Sequence, residues 1–259
     1  MKAPVRTIVW HDELNDEFSE AVIQAKKIDK DYDYEGKPMN PFLRAFWYRI
    51  VAIPLGKLFL FFKYRHRVIY RDGAKPVKGA VLYGNHTNPI ADALIPTIVN
   101  RLISTFVIVH PDNVSMPFLG RVTPYMGAVP LAEDFEGTKH MNTCLKHLHE
   151  KNRNIVIYPE AHIWPFYTKI RPFTDASFGY PVSMNAPVYS FVNTYHKRLF
   201  SKNPKIITYV DGPFYPPVEG SVPAKRRALR NEVYEAMVRE SKNNTLELIH
   251  YVKGTENDG

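Results

Sequence analysis

The sequence of 259 residues has a single cysteine, Cys144, so it can form no internal disulfide and no metal site built from several cysteines. It has no glycine-rich phosphate loop and no dinucleotide fingerprint, which argues against a nucleotide cofactor. A spanning helix needs about 20 apolar residues, but the run from Ile50 to Gly56 is interrupted by Pro54 and closed by Lys57. We therefore expect a protein of a reducing compartment that needs no cofactor and does not cross a membrane.

Basic residues outnumber acidic ones, and the formal net charge of +8 favours an anionic partner. Seven cations lie in or beside the most apolar segment of the chain, Phe42 to Tyr64, which is also rich in aromatic residues. These cations are Arg44, Arg49, Lys57, Lys63, Arg65, Arg67 and Arg71. Such a mixture is typical of a segment that lies in the membrane interface, with apolar groups inserted and charged groups at the lipid phosphates.

Two other interpretations of this segment are weaker. Nucleic acid is not the expected partner, because the aromatic residues are too densely spaced, and have too many aliphatic neighbours, to form a base-stacking platform. The segment could instead form a pair of helices that packs on its own domain. We expect membrane lipids as partners, and a monotopic or peripheral location on the cytoplasmic face of a membrane.

The sequence divides into three parts. Residues 1–40 are a polar leader, flexible or loosely docked; residues 41–66 are the membrane-interface helical segment; and residues 67–259 form the main domain. In that domain short apolar runs alternate with helical patterns, which predicts an α/β fold with a mostly parallel sheet covered by helices on both faces. The predicted strands are Ala80–Tyr83, Thr105–Val109, Gly127–Leu131, Asn154–Tyr158, Pro187–Thr194 and Lys205–Val210, and the predicted helices are Pro89–Val99, Glu136–Lys151, Thr174–Met184 and Ala224–Ser241.

A histidine and an aspartate six positions apart follow the first of these strands. Asn88 suits a helix N-cap and Pro89 the first helical position, so Asp92 falls in the first turn. His86 can reach Asp92 only if the chain between them bends back over the helix start. A neutral imidazole held by a carboxylate is a general base, and the amides at the helix start would stabilise an oxyanion. The simpler interpretation is a capped helix preceded by a loop histidine.

A second group of polar residues follows the strand Asn154–Tyr158. Because ligands bind at the carboxyl ends of parallel strands, Glu160 should face the same edge of the sheet as His86. Lys169 and Arg171 stand at alternate positions, and an extended chain would point both to one side, where they could hold a phosphate. The alternative is a surface turn with two solvated cations.

The two groups together resemble the lysophospholipid and glycerol-phosphate acyltransferase superfamily, in its 1-acylglycerol-3-phosphate acyltransferase branch. The stretch Asn85 to Asp92 resembles the catalytic motif of that superfamily, in a variant with five residues between histidine and aspartate instead of four. Tyr158-Pro159-Glu160 resembles the start of its acceptor-binding block, and Ala186 to Val192 resembles a later strand. The resemblance covers about Val68 to Pro216 and implies a glycerol-3-phosphate acyltransferase-like fold.

The resemblance implies transfer of an acyl chain from acyl-CoA or acyl carrier protein to the hydroxyl of 1-acylglycerol-3-phosphate, which gives phosphatidic acid. It implies His86 and Asp92 as the catalytic pair and requires no metal. The substrate-binding residues that it implies are Asn85, Glu160, His162, Lys169 and Arg171.

The sequence departs from the pattern of the superfamily where phosphate is bound. Ala161 and His162 replace a Gly-Thr pair, and no arginine follows them directly. Two alternatives therefore stay open. One is a catalytically dead lipid-binding module. The other is a metal-dependent hydrolase that uses His86, Asp92, Glu160 and His162 as ligands.

Overall fold

A computed structural model describes residues 6–18, 28–29, 31–34, 46–101, 103–116, 120 and 122–254. Phe42 and Arg44 of the interface segment, and the side chain of Trp47, lie outside the described residues. The strands are β1 (Arg6–Trp10), β2 (Arg67–Tyr70), β3 (Val81–Gly84), β4 (Thr105–Val109), β5 (Ala128–Pro130), β6 (Asn154–Ile157), β7 (Val188–His196), β8 (Lys205–Phe214) and β9 (Ile249–Lys253). The α-helices are α1 (Ile53–Tyr64), α2 (Ala91–Val99), α3 (Asp112–Ser115), α4 (Phe135–Glu150), α5 (Gly179–Met184) and α6 (Val222–Ser241).

Seven strands form the central sheet in the order β2-β8-β7-β3-β6-β4-β5. The five strands from β7 to β5 run parallel to one another, whereas β8 is antiparallel to β7 and β2 is parallel to β8. The carboxyl ends of β3, β6 and β7, which are neighbours at the middle of the sheet, therefore meet at one edge. The predicted α/β architecture is confirmed.

Both faces of the sheet are covered, as the apolar strands predicted. Successive side chains of a strand point to opposite faces, and in β3 Val81 and Tyr83 join one apolar cluster while Leu82 joins the other. The first cluster includes Leu145 of α4, and the second includes Leu60 of α1. Each cluster is contiguous, so the ends of the central strands are held rigidly from both sides.

Part of the leader forms a strand that pairs with the end of the chain. Strand β1 pairs in parallel with β9 in a separate two-stranded sheet, from Arg6 opposite Ile249 to Trp10 opposite Lys253. The two strands are almost the whole chain apart and carry only a weak alternation, which explains why neither could be recognised from the sequence. Residues 6–18 are therefore docked on the domain.

The interface segment is helical where it is described. A π-helical stretch, Phe46–Ala52, runs directly into α1. One face of α1 packs on the domain through Gly56, Leu60 and Tyr64. The other face leaves the large apolar side chains of Leu55, Leu58, Phe61 and Phe62 more than half exposed, and Ile50 of the π-helical stretch is exposed to a similar degree. Among the described residues, no helix combines the length and the apolar character that crossing a bilayer would require.

Candidate active site

The turn that follows β3 is built as the sequence predicted. The side chain of Asn88 accepts a hydrogen bond from the amide of Ala91 (3.0 Å), and its carbonyl accepts one from the amide of Asp92 (2.9 Å). These bonds are those of a helix N-cap, although the regular helix begins at Ala91 and not at Pro89. Asp92 is thereby fixed in the first turn of α2.

The turn folds His86 back onto Asp92, which confirms the predicted contact. His86 Nδ1 lies 2.9 Å from Asp92 Oδ2, and the same oxygen accepts the amides of Thr87 and Asn88, each at 2.8 Å. Asp92 is 1% exposed, whereas the His86 side chain keeps 19% of its surface accessible. An acceptor at this distance favours the tautomer with hydrogen on Nδ1, and the lone pair of Nε2 is then free to take a proton.

A residue that the sequence did not single out holds the other carboxylate oxygen. Asn193, fully buried near the end of β7, donates from Nδ2 to Asp92 Oδ1 at 3.0 Å. Asn193 Oδ1 in turn accepts from Thr208 Oγ1 of β8 (2.6 Å), and Thr208 Oγ1 lies 2.8 Å from His66 Nε2. Because the Thr208 hydrogen is used on Asn193, His66 is the donor of that last bond. The only sequence signal was an asparagine inside an apolar strand.

Asn85 has a structural partner that its assignment to substrate binding did not foresee. Its side chain donates to the carbonyl of Asn193 (3.1 Å) and accepts from the amide of Asn193 (2.8 Å). Asn85 is 1% exposed. These two bonds tie the end of β3 to β7 at the level of Asp92, so the side chain of Asn85 aligns the two strands that carry the site.

Tyr158, at the end of β6, forms one wall of the site. Its ring stacks on the imidazole of His86, with 4.5 Å between centroids and 19° between planes. Its hydroxyl donates to the carbonyl of Asp92 at 2.5 Å. Burial raises the pKa of Tyr158 well above its usual value, so the hydroxyl stays a hydrogen-bond donor. Tyr158 thus fixes the plane in which His86 presents Nε2.

The prediction that Lys169 and Arg171 share one side of the chain is wrong. Lys169 is exposed, whereas the side chain of Arg171 is fully buried, with Nε 3.5 Å from Glu160 Oε2. Arg171 also donates to the carbonyls of Glu160 (2.9 Å) and His162. The guanidinium is turned inward, where main-chain carbonyls accept its hydrogen bonds and the carboxylate of Glu160 forms an ion pair with it.

The carboxylate of Glu160 is as buried as its partner. Burial raises the pKa of Glu160 to about 7, and the guanidinium of Arg171 opposes that rise. Burial likewise lowers the pKa of Arg171. The two residues follow β6, next to the end of β3, so the predicted common edge for Glu160 and His86 is confirmed by the strand pairing.

The leader closes this part of the site from outside. Arg171 Nη1 donates to the carbonyl of Glu13 (3.2 Å), and Trp164 Nε1 donates to the carbonyl of Asp16 (2.8 Å). His162 is half-buried, with Nδ1 3.3 Å from Glu17 Oε2. The loop that carries Glu160 is therefore held between the sheet edge and residues 13–17.

The donor groups do not form a metal centre. His86 Nδ1 is bound to Asp92, Glu160 lies against a guanidinium, and His162 faces Glu17. In the part of the chain that the structure describes, no group of three or more histidine, cysteine or acidic side chains could hold a metal ion. This arrangement of donors does not favour the metal-dependent hydrolase.

Comparison with known proteins agrees with this geometry. The model of the Acyltransferase family matches residues 66–193, which include His86, Asp92, Glu160, Arg171 and Asn193. A search of curated proteins gave no significant match. Among solved structures, the chain is similar to the 1-acyl-sn-glycerophosphate (LPA) acyltransferase PlsC from Thermotoga maritima, with a TM-score of 0.57 and 16% identity over 82% of this chain and 87% of that chain. At that identity the likeness concerns the fold, while the family match concerns the sequence that builds the site. The chain is an acyltransferase, and its residues 66–193 match the acyltransferase superfamily.

Proposed function

We propose that this chain transfers an acyl chain from acyl-CoA or acyl carrier protein to the hydroxyl of a lysophospholipid, 1-acylglycerol-3-phosphate, and so forms phosphatidic acid. The observation that carries the proposal is the Asp92 carboxylate, which fixes His86 through Nδ1 and leaves Nε2 free at the carboxyl edge of the sheet. The family match supports acyl transfer. The lysophosphatidate acceptor follows the activity named for the Thermotoga protein.

In the proposed reaction His86 is the general base. Nε2 takes the proton of the glycerol hydroxyl while the hydroxyl oxygen attacks the thioester carbonyl carbon. The carbon–sulfur bond then breaks, and the thiolate leaves with the proton that the imidazolium returns. The products are an ester and a free thiol, and His86 is neutral again. No acyl-enzyme forms, because the attacking nucleophile is the acceptor itself.

Three of the amides at the start of α2 are not available to the oxyanion of this reaction. The amides of Thr87 and Asn88 donate to Asp92 Oδ2, and the amide of Ala91 donates to Asn88 Oδ1. All three amides therefore donate their hydrogen bonds to residues of the same motif. They hold the carboxylate that orients His86, so the helix start acts on the reaction through Asp92.

An apolar cavity of about 150 Å³ beside α2 supports an acyl substrate. It opens between α1 and the sheet, and its lining includes Ile53, Gly56, Leu94, Ile98 and Val107. The lining also includes Ala93, the residue after Asp92, so the cavity borders the helix that carries this carboxylate. A hydrocarbon chain is the substrate part that such a lining would hold, because apolar burial is favourable and needs no partner groups.

The assay that tests the proposal measures turnover of 1-acylglycerol-3-phosphate with labelled acyl-CoA, and separately with acyl carrier protein. We expect His86→Ala to lower kcat by about 10²- to 10⁴-fold, the usual cost of losing a general base. Asp92→Asn should be impaired as well, because it removes the charge that orients and stabilises the imidazolium. Near-normal turnover of both variants would make the pair structural. Lack of turnover by the unaltered chain with either donor would favour the lipid-binding module.

We further propose that the protein is monotopic on the cytoplasmic face of a membrane. The support is the outer face of α1, whose apolar side chains are exposed beside Lys57, Lys63 and Arg65. Residues 41–71 contain no acidic residue. Anionic headgroups would therefore meet only cations along this segment, while the apolar side chains lie in the acyl boundary.

Flotation of the whole chain with liposomes tests the membrane proposal. Phe59 is only partly exposed and packs against the apolar cluster under α1, so it is a poor probe. Phe61→Ser with Phe62→Ser alters exposed side chains and should reduce flotation without unfolding the protein. Flotation should rise with anionic lipid and fall with salt. Equal flotation of the variant and the parent chain would mean that α1 is not the contact.

A further inference from the structure

The loop between β7 and β8, residues 197–204, carries two largely exposed apolar side chains at its tip. Leu199 is 76% exposed and Phe200 is fully exposed. Phe200 also has a φ of 60°, a left-handed conformation that bulky residues rarely adopt. Asparagine or glycine would serve the backbone better at this position. Neither packing nor turn geometry explains a phenylalanine there, which points to a contact outside the chain.

Cations surround this apolar tip. Lys197, Arg198, Lys202 and Lys205 lie within the ten residues from His196, and this stretch contains no aspartate or glutamate. Lys197 and Lys202 are exposed. An apolar tip flanked by cations is complementary to a surface that has an outer layer of anionic groups and an apolar layer beneath it. An anionic lipid bilayer has this layering.

The hairpin is fastened to α1, whose outer face is the proposed membrane contact. Arg198 Nη1 donates to the carbonyls of Phe62 (3.0 Å) and Lys63 (3.1 Å), the last turn of that helix. Cations at a helix C-terminus are also favoured by the helix dipole. The bonds hold the hairpin to the end of α1 that carries Phe61 and Phe62, so the two exposed apolar groups belong to elements that are joined directly.

This surface adjoins the site. Strand β7 runs parallel to β3, so its carboxyl end and the hairpin lie at the same edge of the sheet as His86. Tyr64, the last residue of α1, accepts a hydrogen bond from the side chain of Asn88 (3.3 Å). A bilayer in contact with the hairpin and α1 would thus lie close to the groups that act on a lipid hydroxyl.

We propose that the β7–β8 hairpin is a second membrane contact, in which Leu199 and Phe200 insert below the headgroups of an anionic bilayer while the neighbouring cations bind the lipid phosphates. The inference rests on the proposed function, because it assigns the orientation in which the site would meet a membrane-borne acceptor. With α1 alone the protein could roll about the helix axis, whereas two contacts fix which edge faces the lipid.

The first experiment compares binding of variants to vesicles of phosphatidylcholine with phosphatidylglycerol. We expect Leu199→Ser with Phe200→Ser to weaken partition about tenfold, as loss of two partly buried apolar side chains implies. Val218→Ser is the matched control, since Val218 is 92% exposed but follows the opposite end of β8. The control should bind like the parent chain. Unchanged binding of the double variant, or an equal loss in the control, would overturn the proposal.

A second experiment reports insertion directly. Cys144 is buried, so a polarity-sensitive thiol label should react selectively with a cysteine introduced by Phe200→Cys, or by Val218→Cys as control. Addition of anionic vesicles should shift the emission of the label at position 200 to shorter wavelength and leave the label at 218 unchanged. If the protein binds the vesicles but the emission of the label at position 200 does not shift, the hairpin does not insert. That result would be expected if the hairpin instead binds a soluble protein.

Activity measurements separate this inference from the proposed function. The Leu199→Ser, Phe200→Ser variant should turn over a detergent-dispersed acceptor as the parent does, but be slower on the same acceptor in vesicles. If the parent chain is inactive in detergent, the proposed function fails while the binding and label experiments still decide the hairpin. If the double variant and the parent chain are equally active on the acceptor in vesicles, the hairpin inference fails and the proposed function stands.

Discussion

Four donors converge on the carboxylate of Asp92: the ring of His86, two amides of the turn, and Asn193. These donors meet both oxygens of the carboxylate, so the network fixes the orientation of Asp92 and holds His86 in one tautomer. Asn193 is itself held by a chain of hydrogen bonds, in which His66 donates to Thr208 and Thr208 donates to Asn193. Asn193 is therefore a positioning residue, which acts on the reaction through the aspartate.

Asn193→Asp tests this role with almost no change in shape. The new carboxylate would face Asp92 and the two would share a proton, since like charges at this distance cannot both ionise. We expect kcat to fall about tenfold or more and the acid limb of the kcat–pH profile to move to higher pH. The measurement is the pH profile of turnover, which a purely structural residue would not shift.

Asn154→Asp is the matched control for that variant. Asn154 is equally buried but begins β6 at the opposite edge of the sheet, where its side chain bonds Asn100 Oδ1 (2.7 Å) and the amide of Ala80 (3.1 Å). It should lose stability and keep the parent pH profile. The same profile shift in both variants would show a general effect of buried charge, and Asn193 would have no special role.

Arg171 illustrates how burial changes the expected phenotype of a substitution. As a solvent-facing phosphate ligand, its loss would raise the acceptor KM. As a buried partner of Glu160, its removal in Arg171→Ala strands a carboxylate, which typically costs about 3–5 kcal/mol of unfolding free energy. Urea unfolding should show that loss, and Arg171→Met with Glu160→Gln should recover part of it. A stably folded Arg171→Ala with only a higher acceptor KM would restore the phosphate role.

At the scale of elements, the sequence predicted what depends on neighbouring residues. The strands β3, β4 and β6 are largely apolar runs, and Asn88 and Pro89 are residues typical of a helix start. The strands and the start of α2 could therefore be predicted from short stretches of sequence. The contact of His86 with Asp92 followed from the same turn. Such features need no knowledge of the rest of the fold.

Other features depend on residues far apart in the chain and could not be predicted. Asn193 reaches Asp92 only because β7 pairs with β3 in one register, with Gly84 opposite Phe191. The inward turn of Arg171 depends on carbonyls of the leader and of its own loop. The pairing of β1 with β9 has no local pattern. Strand register and the burial of a cation are outcomes of packing.

The leader should stabilise the loop that carries Glu160. Trp164→Phe keeps an aromatic ring against Tyr251, which is stacked on it at 5.0 Å, but removes the indole donor to Asp16. We expect the unfolding free energy to fall by about 1 kcal/mol, the usual value of one hydrogen bond. Amide exchange in β1 and β9 should speed up. Unchanged exchange there would show that residues 13–17 do not depend on this bond.

Over the whole molecule the positive charge is concentrated where the proposed contacts lie. The net charge is +8, and residues 41–71 and 196–205 carry eleven basic residues, Arg44, Arg49, Lys57, Lys63, Arg65, Arg67, Arg71, Lys197, Arg198, Lys202 and Lys205, with no acidic residue. The remaining sequence is therefore slightly acidic, since 34 basic less eleven leaves 23 against 26 acidic residues. Such asymmetry orients a protein at an anionic surface better than an even distribution would.

The stability of the folded protein should depend on pH through two buried groups with opposite signs. Burial lowers the pKa of His66 from 6.5 to about 4, so its contribution is fully present above 6.5 and is lost as pH falls toward 4. Burial raises the pKa of Glu160 from 4.5 to about 7, so its contribution is present below 4.5 and is lost as pH rises through 7. Between about 4.5 and 6.5 the two slopes oppose each other.

Removing one group should expose the slope of the other. Each group contributes at most about 1.4 kcal/mol per pH unit, since one proton is involved. In His66→Gln the unfolding free energy should fall as pH rises from 5 to 7, whereas in Glu160→Gln it should rise over the same range. The parent chain should be flatter than either variant because its two groups compensate. Urea unfolding at three pH values gives the measurement, and parallel curves for parent and both variants would show that neither group titrates with folding.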